Sequence, residues 1–333
     1  MSLAKLIAEE YKSAEQKTAV IVCGPTASGK SSLAMELCGL LNGELISCDS
    51  MQIYRMMDIG TAKPSVRDRE LVPHHMIDIT DPWENYSAFM YKNDAVKAIS
   101  EVFSRSKVPV ICGGTGLYVN ALIDNREYSC EPDNAFFSEE FRAEKKKCDC
   151  CLEKGDRASL HDMLKKYDPE AAAEIHMNNV KRVYRALYLY FVTGKVRAQR
   201  NLESTANSPE FGFNVYCLMP RREELYERIN SRVDIMREEG LAEEADRVYA
   251  ACREKIPAEE VSDLRILKRT ALSAIGYKEL IPLLDYPELA PVKEDLPYDA
   301  VSVFEKIKQD TRQYAKRQLT WFKKTPGARF LEC

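Results

Sequence analysis

Gly24-Pro25-Thr26-Ala27-Ser28-Gly29-Lys30-Ser31 fits G-x-x-x-x-G-K-[ST], the pattern of a phosphate-cradling loop set between a strand and a helix. Both flanks agree with it. Ala19-Val20-Ile21-Val22-Cys23 is an apolar run of strand character, and Ser32 to Cys38 has helical character. The glycines permit a tight turn that gathers backbone N–H groups round an anion. The start of the helix adds free donors and a favourable dipole. Lys30 brings a point charge, and Ser31 a hydroxyl suited to Mg²⁺. Gly24, Thr26, Ala27, Ser28, Gly29, Lys30 and Ser31 are therefore the expected phosphate-binding set. The loop alone does not say whether the ligand is a nucleoside triphosphate or another diphosphate.

Outward from the loop, strands and helices alternate. Gly43 to Ser50 reads as a short strand ending in polar residues. Ligands of open α/β sheets bind beyond the carboxyl ends of strands, which places Asp49 near the loop if the two strands are neighbours. The competing reading of Asp49 is a turn or cap before Met51-Gln52-Ile53-Tyr54. Asp58-Ile59-Gly60-Thr61-Ala62-Lys63-Pro64 is a Gly/Pro-bracketed loop, and Val72 to Ile79 a loop entering a short strand. A helix is expected over Tyr86 to Val102, capped by Ser87. Lys107 to Cys112 is a third clear strand, ending in Gly113-Gly114-Thr115-Gly116-Leu117-Tyr118. There Thr115 can offer a hydroxyl and an N–H to an anion.

The texture changes near Asn125. Residues up to about 201 read as charged helices, beginning after a loop at Glu131-Pro132-Asp133. In the helix Val180 to Val192, an apolar stripe of Val180, Val183, Leu187 and Tyr190 leaves Lys181, Arg182 and Arg185 elsewhere round the axis. Phe213 to Leu218 is a returning strand. The helix after Pro220 carries Arg228 and Arg232 on one face, either to close over a diphosphate or to pair with Glu224 and Glu227. The last helix runs from Val303 to Phe322. The expected architecture is α/β: a parallel-sheet, P-loop NTPase-like core (residues 1–125 and 211–333) with an all-helical insertion (126–210).

Bulk properties narrow the classes. The chain has 333 residues, 45 % hydrophobic and 30 % charged, with a formal net charge of −4. No stretch is apolar enough for a membrane span, and the first residues lack the apolar centre of a signal peptide. Eleven cysteines suggest a disulfide or zinc protein only at first sight. Cys23, Cys48, Cys112 and Cys217 lie in apolar runs, and Cys130, Cys148, Cys150 and Cys151 do not match paired C-x-x-C spacing. A reducing cytoplasm is the expectation. Basic charge is local: six basic and no acidic residues from Lys181 to Arg200, eight against three from Val301 to Cys333.

The ordered set of segments resembles the tRNA dimethylallyltransferase (tRNA isopentenyltransferase) family, in its compact bacterial form. It comprises Gly24 to Ser31, Asp49 to Tyr54, Asp58 to Pro64, His74 to Ile79, Gly113 to Tyr118, Asn179 to Leu187, Gly276-Tyr277 and Thr311 to Trp321. The resemblance implies transfer of a dimethylallyl group from dimethylallyl diphosphate to N6 of adenosine 37 in tRNA, with Mg²⁺ as cofactor. By it, Asp49 accepts the N6 proton. Lys30, Thr115 and Arg232 support the departing diphosphate, and Ser31 meets the metal. Asp49, Ser50, Met51 and Gln52 would meet the base. Lys181, Arg182, Val183, Tyr184 and Arg185, with Ser273, Ala274, Ile275, Gly276, Tyr277 and Lys278, would contact tRNA. Arg312, Lys316 and Arg317 are weaker candidates. A monomer with no membrane partner is expected. Transfer to a free adenine nucleotide, a P-loop ATPase or kinase, and a non-enzymatic RNA-binding module are the alternatives.

Overall fold

The structure is a computed structural model, and it describes residues 2–11, 17–125, 139–204 and 210–332. Cys130 and the Glu131-Pro132-Asp133 loop lie outside these residues. Two compact units are present, one formed by residues 1–123 with 209–333 and the other by 124–208.

The first unit is built on a six-stranded sheet of β1 (Thr18–Cys23), β2 (Gly43–Ser47), β3 (His74–His75), β4 (Val108–Gly113), β5 (Gly212–Met219) and β6 (Ala328–Glu332). All neighbours are parallel, in the order β3-β2-β4-β1-β5-β6. Such a sheet needs cover on both faces, and its strands read as nearly continuous apolar runs. Successive side chains alternate between the two faces. Val20, Val22, Val110 and Tyr216 pack under the helix Lys30–Leu41 through Leu33, Ala34 and Leu37. Ala19, Ile21, Ile111 and Val215 pack under the helix Ala88–Ser104 through Tyr91, Ala95 and Ile99. A third core joins Ile53, Tyr54 and Met57 to the helices Arg222–Glu238, Leu241–Lys255 and Val303–Phe322.

Ser87 caps its helix by accepting from the Met90 N–H, and Val303–Phe322 has its expected bounds. Two elements differ from expectation. The strand expected up to Ile79 stops at His75, because Met76 and Asp78 take left-handed backbone conformations (φ 61° and 56°). The edge strand β6 was not anticipated. Its Phe330 is half exposed, and it is the last strand of the sheet among the described residues, so it lacks the buried apolar run that marks an inner strand.

One sheet carboxylate is nearly buried. Glu44 on β2 accepts from Arg105, from His75 (Nε2–Oε2 2.7 Å) and pairs with Lys107 at 3.0 Å. Burial alone would push its carboxyl up, but the hydrogen bonds from Arg105, His75 and Lys107 outweigh it and hold the value at about 2. Because its folded value lies below its ordinary one, Glu44 stabilises the fold above about pH 4.5, and that contribution disappears as the pH falls towards 2. Arg105, Lys107 and His75 are all partly exposed, which limits the effect. Glu44→Gln is expected to cost about 2 kcal/mol at pH 7 in urea unfolding, with the difference from wild type shrinking as the pH falls from 4.5 to 2.

The second unit is helical in its described residues: Glu139–Glu153, Arg157–Tyr167, Pro169–Glu174, Val180–Thr193 and Arg197–Ser204. Gly194 ends the fourth in a left-handed cap. Leu160, Leu164, Val183, Leu187 and Phe191 form its core, joined by Cys148. Buried Asp168 ties it together, accepting from Ala171 N and from Arg197 N. All nine described cysteines are free thiols. No helix among the described residues is long and apolar enough to cross a membrane.

Candidate active site

At the carboxyl end of β1 the chain turns through Gly24 (φ 150°), Ala27 (φ 60°) and Gly29 (φ 86°) into the helix Lys30–Leu41. Positive φ at these points folds the loop back over the helix start. Lys30 Nζ lies over the loop, 3.3 Å from the Pro25 carbonyl, and Ser31 is exposed at the first turn. Burial pushes the Lys30 ammonium down from its ordinary value. Asp49 opposes this shift and Arg232 adds to it. The Arg232 guanidinium is likewise lowered by burial and raised by Asp49. Two desolvated cations thus share one carboxylate, an arrangement that favours an incoming anion.

Asp49 follows β2, whose neighbour is β4 rather than β1. Its position is set by β4. The Cys48 N–H donates to the Cys112 carbonyl, and the Thr115 N–H donates to the Cys48 carbonyl. A Cβ on Gly113 would lie 2.0 Å from the Cys48 oxygen, so only glycine lets the two strand ends approach this closely. Asp49 Oδ1 accepts from Met51 N at 2.9 Å. The turn reading and the site reading of Asp49 are therefore both satisfied, because the carboxylate closes the turn and also lines two cavities.

Two cavities meet at this point. One, of about 340 Å³, runs from Thr26, Lys30 and Asp49 past apolar walls that include Val233, Met236 and Ile307. The other, of about 490 Å³, holds Ser31, Cys112 and His74. Thr26, Lys30, Asp49, Thr61 and Arg232 line both. Burial pushes the Cys112 thiol up to about 11, so it is a neutral wall rather than a nucleophile.

The helix Val303–Phe322 supplies residues that sequence reasoning left without a role. Gln318, 6 % exposed, accepts from Thr26 N at 2.9 Å and donates to the Gly114 carbonyl at 2.8 Å. It bridges the phosphate loop and the glycine turn. A Cβ on Gly114 would lie 2.4 Å from the Gln318 amide nitrogen. Ile307, Thr311, Tyr314 and Gln318 all line the first cavity. Their spacing of four, three and four puts them on one helical face. Polar residues on a stripe that should be apolar were the available signal.

Several expected contacts are redistributed. Arg232 reaches the cavity, with Nη1 3.4 Å from Thr26 Oγ1, whereas Arg228 pairs with Glu224. The Thr115 N–H is already taken by Cys48, so only its hydroxyl remains for an anion. That hydroxyl donates to Ser50 Oγ over 3.2 Å, a long bond that a stronger acceptor would displace. The Gln52 amide is spent on the Ser47 hydroxyl and the Thr61 and Ala62 carbonyls. Val183 and Tyr277 do not present side chains to a nucleic acid. Val183 is buried in the helical unit's core, and Tyr277 is fully buried with its hydroxyl on Glu244. Tyr184 is half-buried and donates to Asp149, while Lys181 and Arg182 are exposed. Ser50, Met51, Ser273, Ala274, Ile275, Gly276 and Lys278 line the first cavity. Arg312 is held by Asn230, and Arg317 lines the cavity. Trp321 packs where a Cβ on Gly116 would otherwise lie.

Comparison with known proteins agrees across most of the chain. The IPP transferase family matches residues 52–325. A tRNA dimethylallyltransferase of Acetivibrio thermocellus is 41 % identical over 305 residues, covering 92 % of this chain and 88 % of that one. The crystal structure of a full-length tRNA isopentenylpyrophosphate transferase from Bacillus halodurans superposes with a TM-score of 0.62 at 35 % identity, covering 95 % of this chain and 90 % of the other. A eukaryotic dimethylallyltransferase acting on tRNA superposes with a TM-score of 0.75 at 30 % identity, covering 95 % and 74 %.

Proposed function

The chain belongs to the IPP transferase family, and we propose that it moves a dimethylallyl group from dimethylallyl diphosphate to N6 of adenosine 37 in tRNA at the point where the two cavities meet. One observation carries the assignment of the site. Lys30, Arg232 and Asp49 line both cavities, so leaving-group cations and a proton acceptor converge on one place.

The chemistry follows from these groups. N6 is a poor nucleophile because its lone pair is delocalised into the ring. The Asp49 carboxylate orients the amine and accepts its proton as the C–N bond forms. The C–O bond to diphosphate breaks, and the electron pair leaves with the phosphate oxygen. Lys30, Arg232, the Thr115 hydroxyl and the loop N–H groups of Gly24, Ala27 and Gly29 stabilise that charge, while the Thr26 N–H is held by Gln318 and the Ser28 N–H by the Pro25 carbonyl. The apolar walls, among them Val233, Met236 and Ile307, suit the prenyl carbons and exclude water.

The residues also fit Mg²⁺. Among the described residues no group of three or more His, Cys, Asp or Glu forms a metal cage. Mg²⁺ characteristically takes one or two protein oxygens and completes its shell with phosphate and water. The exposed Ser31 hydroxyl, in the same cavity as Asp49, meets that requirement. When bound there, the ion would neutralise diphosphate charge.

The adenine must leave the anticodon stack to reach Asp49. Ser50, Met51, Ser273 and Lys278 supply the wall it would meet, and exposed Lys181 and Arg182, with Arg185, offer phosphate contacts. The test is transfer of labelled dimethylallyl to unmodified tRNA and to AMP side by side, followed by mapping of the modified nucleotide. Modification of adenosine 37 in tRNA but not of AMP is expected. Exclusive labelling of AMP, or ATP turnover without prenyl donor, would overturn the reading.

A further inference from the structure

Glu244 sits in the helix Leu241–Lys255 with 2 % exposure. Four neutral donors converge on its carboxylate. The N–H groups of Asp58 and Ile59 donate to Oε2, each at 2.9 Å. Oε1 receives the Gly60 N–H at 2.9 Å and the Tyr277 hydroxyl at 2.6 Å. A buried carboxylate is costly unless such donors satisfy it, so the arrangement persists only while all its parts stay together. Gly60 completes it, since a Cβ there would lie 2.5 Å from the Tyr277 ring.

The partners belong to two separate stretches of chain. Gly60 and Thr61 form one part of the wall of the first cavity, and Ser273 to Gly276, which lead into Tyr277, form another. The loop is held from its other end by Gln52, whose amide donates to the Thr61 and Ala62 carbonyls. Because Gln52 belongs to the Asp49 segment, displacement of the loop also reaches the carboxylate proposed as base.

We propose that Glu244 is a positioning residue that fixes the width of the reaction cavity. It ties the Asp58–Gly60 loop to the Ser273–Tyr277 stretch and so holds the acceptor adenine against Asp49. The inference rests on the transfer reading above. A merely apolar contact would leave the two stretches free to shift apart, whereas one carboxylate with donors from both makes their spacing a single quantity. Glutamine cannot replace it. Its amide nitrogen would face either the Asp58 and Ile59 N–H groups, leaving both without an acceptor, or Gly60, leaving that N–H without an acceptor while the Tyr277 hydroxyl turns round to accept.

The experiment compares wild type, Glu244→Gln and Tyr277→Phe. Glu244→Gln is expected to lower kcat for transfer to tRNA about 10–100-fold, because small misplacements of reacting groups are expensive. Tyr277→Phe, which keeps the ring and removes one hydrogen bond, is expected to show the same effect several-fold smaller. The Kd for inorganic pyrophosphate should stay within twofold of wild type in both, a split that general loss of stability would not produce. Amide hydrogen exchange gives the second readout. In Glu244→Gln, residues 58–60 and 273–278 should exchange faster together while β1 is unchanged. Faster exchange at 58–60 alone, or unchanged kcat in both folded variants, would overturn the proposal. If Glu244→Gln does not fold, Tyr277→Phe carries both measurements. Failure of wild type to modify tRNA would defeat the transfer reading, whereas the coupled exchange judges the tie itself.

Discussion

Asp49→Asn lowers the rate of dimethylallyl transfer by about 10²–10⁴-fold, the range expected when a positioned general base is removed. Asparagine is the informative choice because it keeps an oxygen at the δ position. The turn closed by Oδ1 and the Met51 N–H at 2.9 Å can therefore persist, and the Cys48 clasp on β4 is untouched. Only the proton acceptor and one negative charge are lost. The lost charge gives the prediction a second sign. Asp49 is the carboxylate that offsets Lys30 and Arg232, so its removal leaves two half-buried cations with less compensation. Pyrophosphate binding should hold or strengthen while chemistry collapses. Single-turnover transfer with saturating tRNA, alongside a pyrophosphate titration, checks both. Transfer within tenfold of wild type would remove Asp49 from the role of base. A parallel loss of pyrophosphate affinity would instead mean that the substitution had disturbed the loop.

What was legible in the sequence was local. The phosphate loop is a fixed spacing of glycines and a lysine next to an apolar strand, and every part of that signal lies within about a dozen residues. Asp49 was legible because the end of a parallel strand is a known place for ligands, although strand order then put β4 between β2 and β1. The long-range supports were not legible in this way. Gln318 reaches Thr26 across 292 residues. Glu244 stands beside Glu243, and two adjacent glutamates on a charged helix look like a solvated face. The distinguishing signal is phase. Glu244 lies three residues after Leu241 and four before Val248, within the buried stripe of Leu241, Ala245, Val248 and Cys252. The basic residues show the same limit. Spacing put Arg228 and Arg232 on one face, yet only Arg232 reaches the cavity, because Glu224 engages Arg228. Charge runs show where cations are, but not which of them are already paired.

Lys30→Met should separate function from stability in opposite directions. In catalysis it removes a cation aimed at the leaving diphosphate, and loss of one such donor costs about 10²–10³-fold in rate. The defect should appear in kcat/KM for dimethylallyl diphosphate, with the KM for tRNA little changed, because the acceptor meets other parts of the wall. In the ligand-free protein the expectation reverses. Burial holds the Lys30 ammonium below its ordinary value of 10.5, so the folded state disfavours the charged form. A lysine whose folded value is lowered destabilises the fold fully at pH below that value. The penalty fades as the pH rises from the folded value towards 10.5. Methionine keeps an unbranched stem without the charge, so Lys30→Met should melt at or above the wild-type temperature at neutral pH, and the two should converge as the solution is made alkaline. Dimethylallyl diphosphate should reverse the order, raising the wild-type melting temperature and leaving the variant almost unmoved. Thermal melts with and without the diphosphate, at neutral and alkaline pH, read all of these together. A variant that is less stable than wild type without ligand would show that Lys30 holds the loop in place. A variant that is equally stabilised by the diphosphate would show that the loop N–H groups and Arg232 hold the anion without Lys30. The expected pattern is that of a cation kept in an unfavourable site because the anion it meets there is the one that must leave.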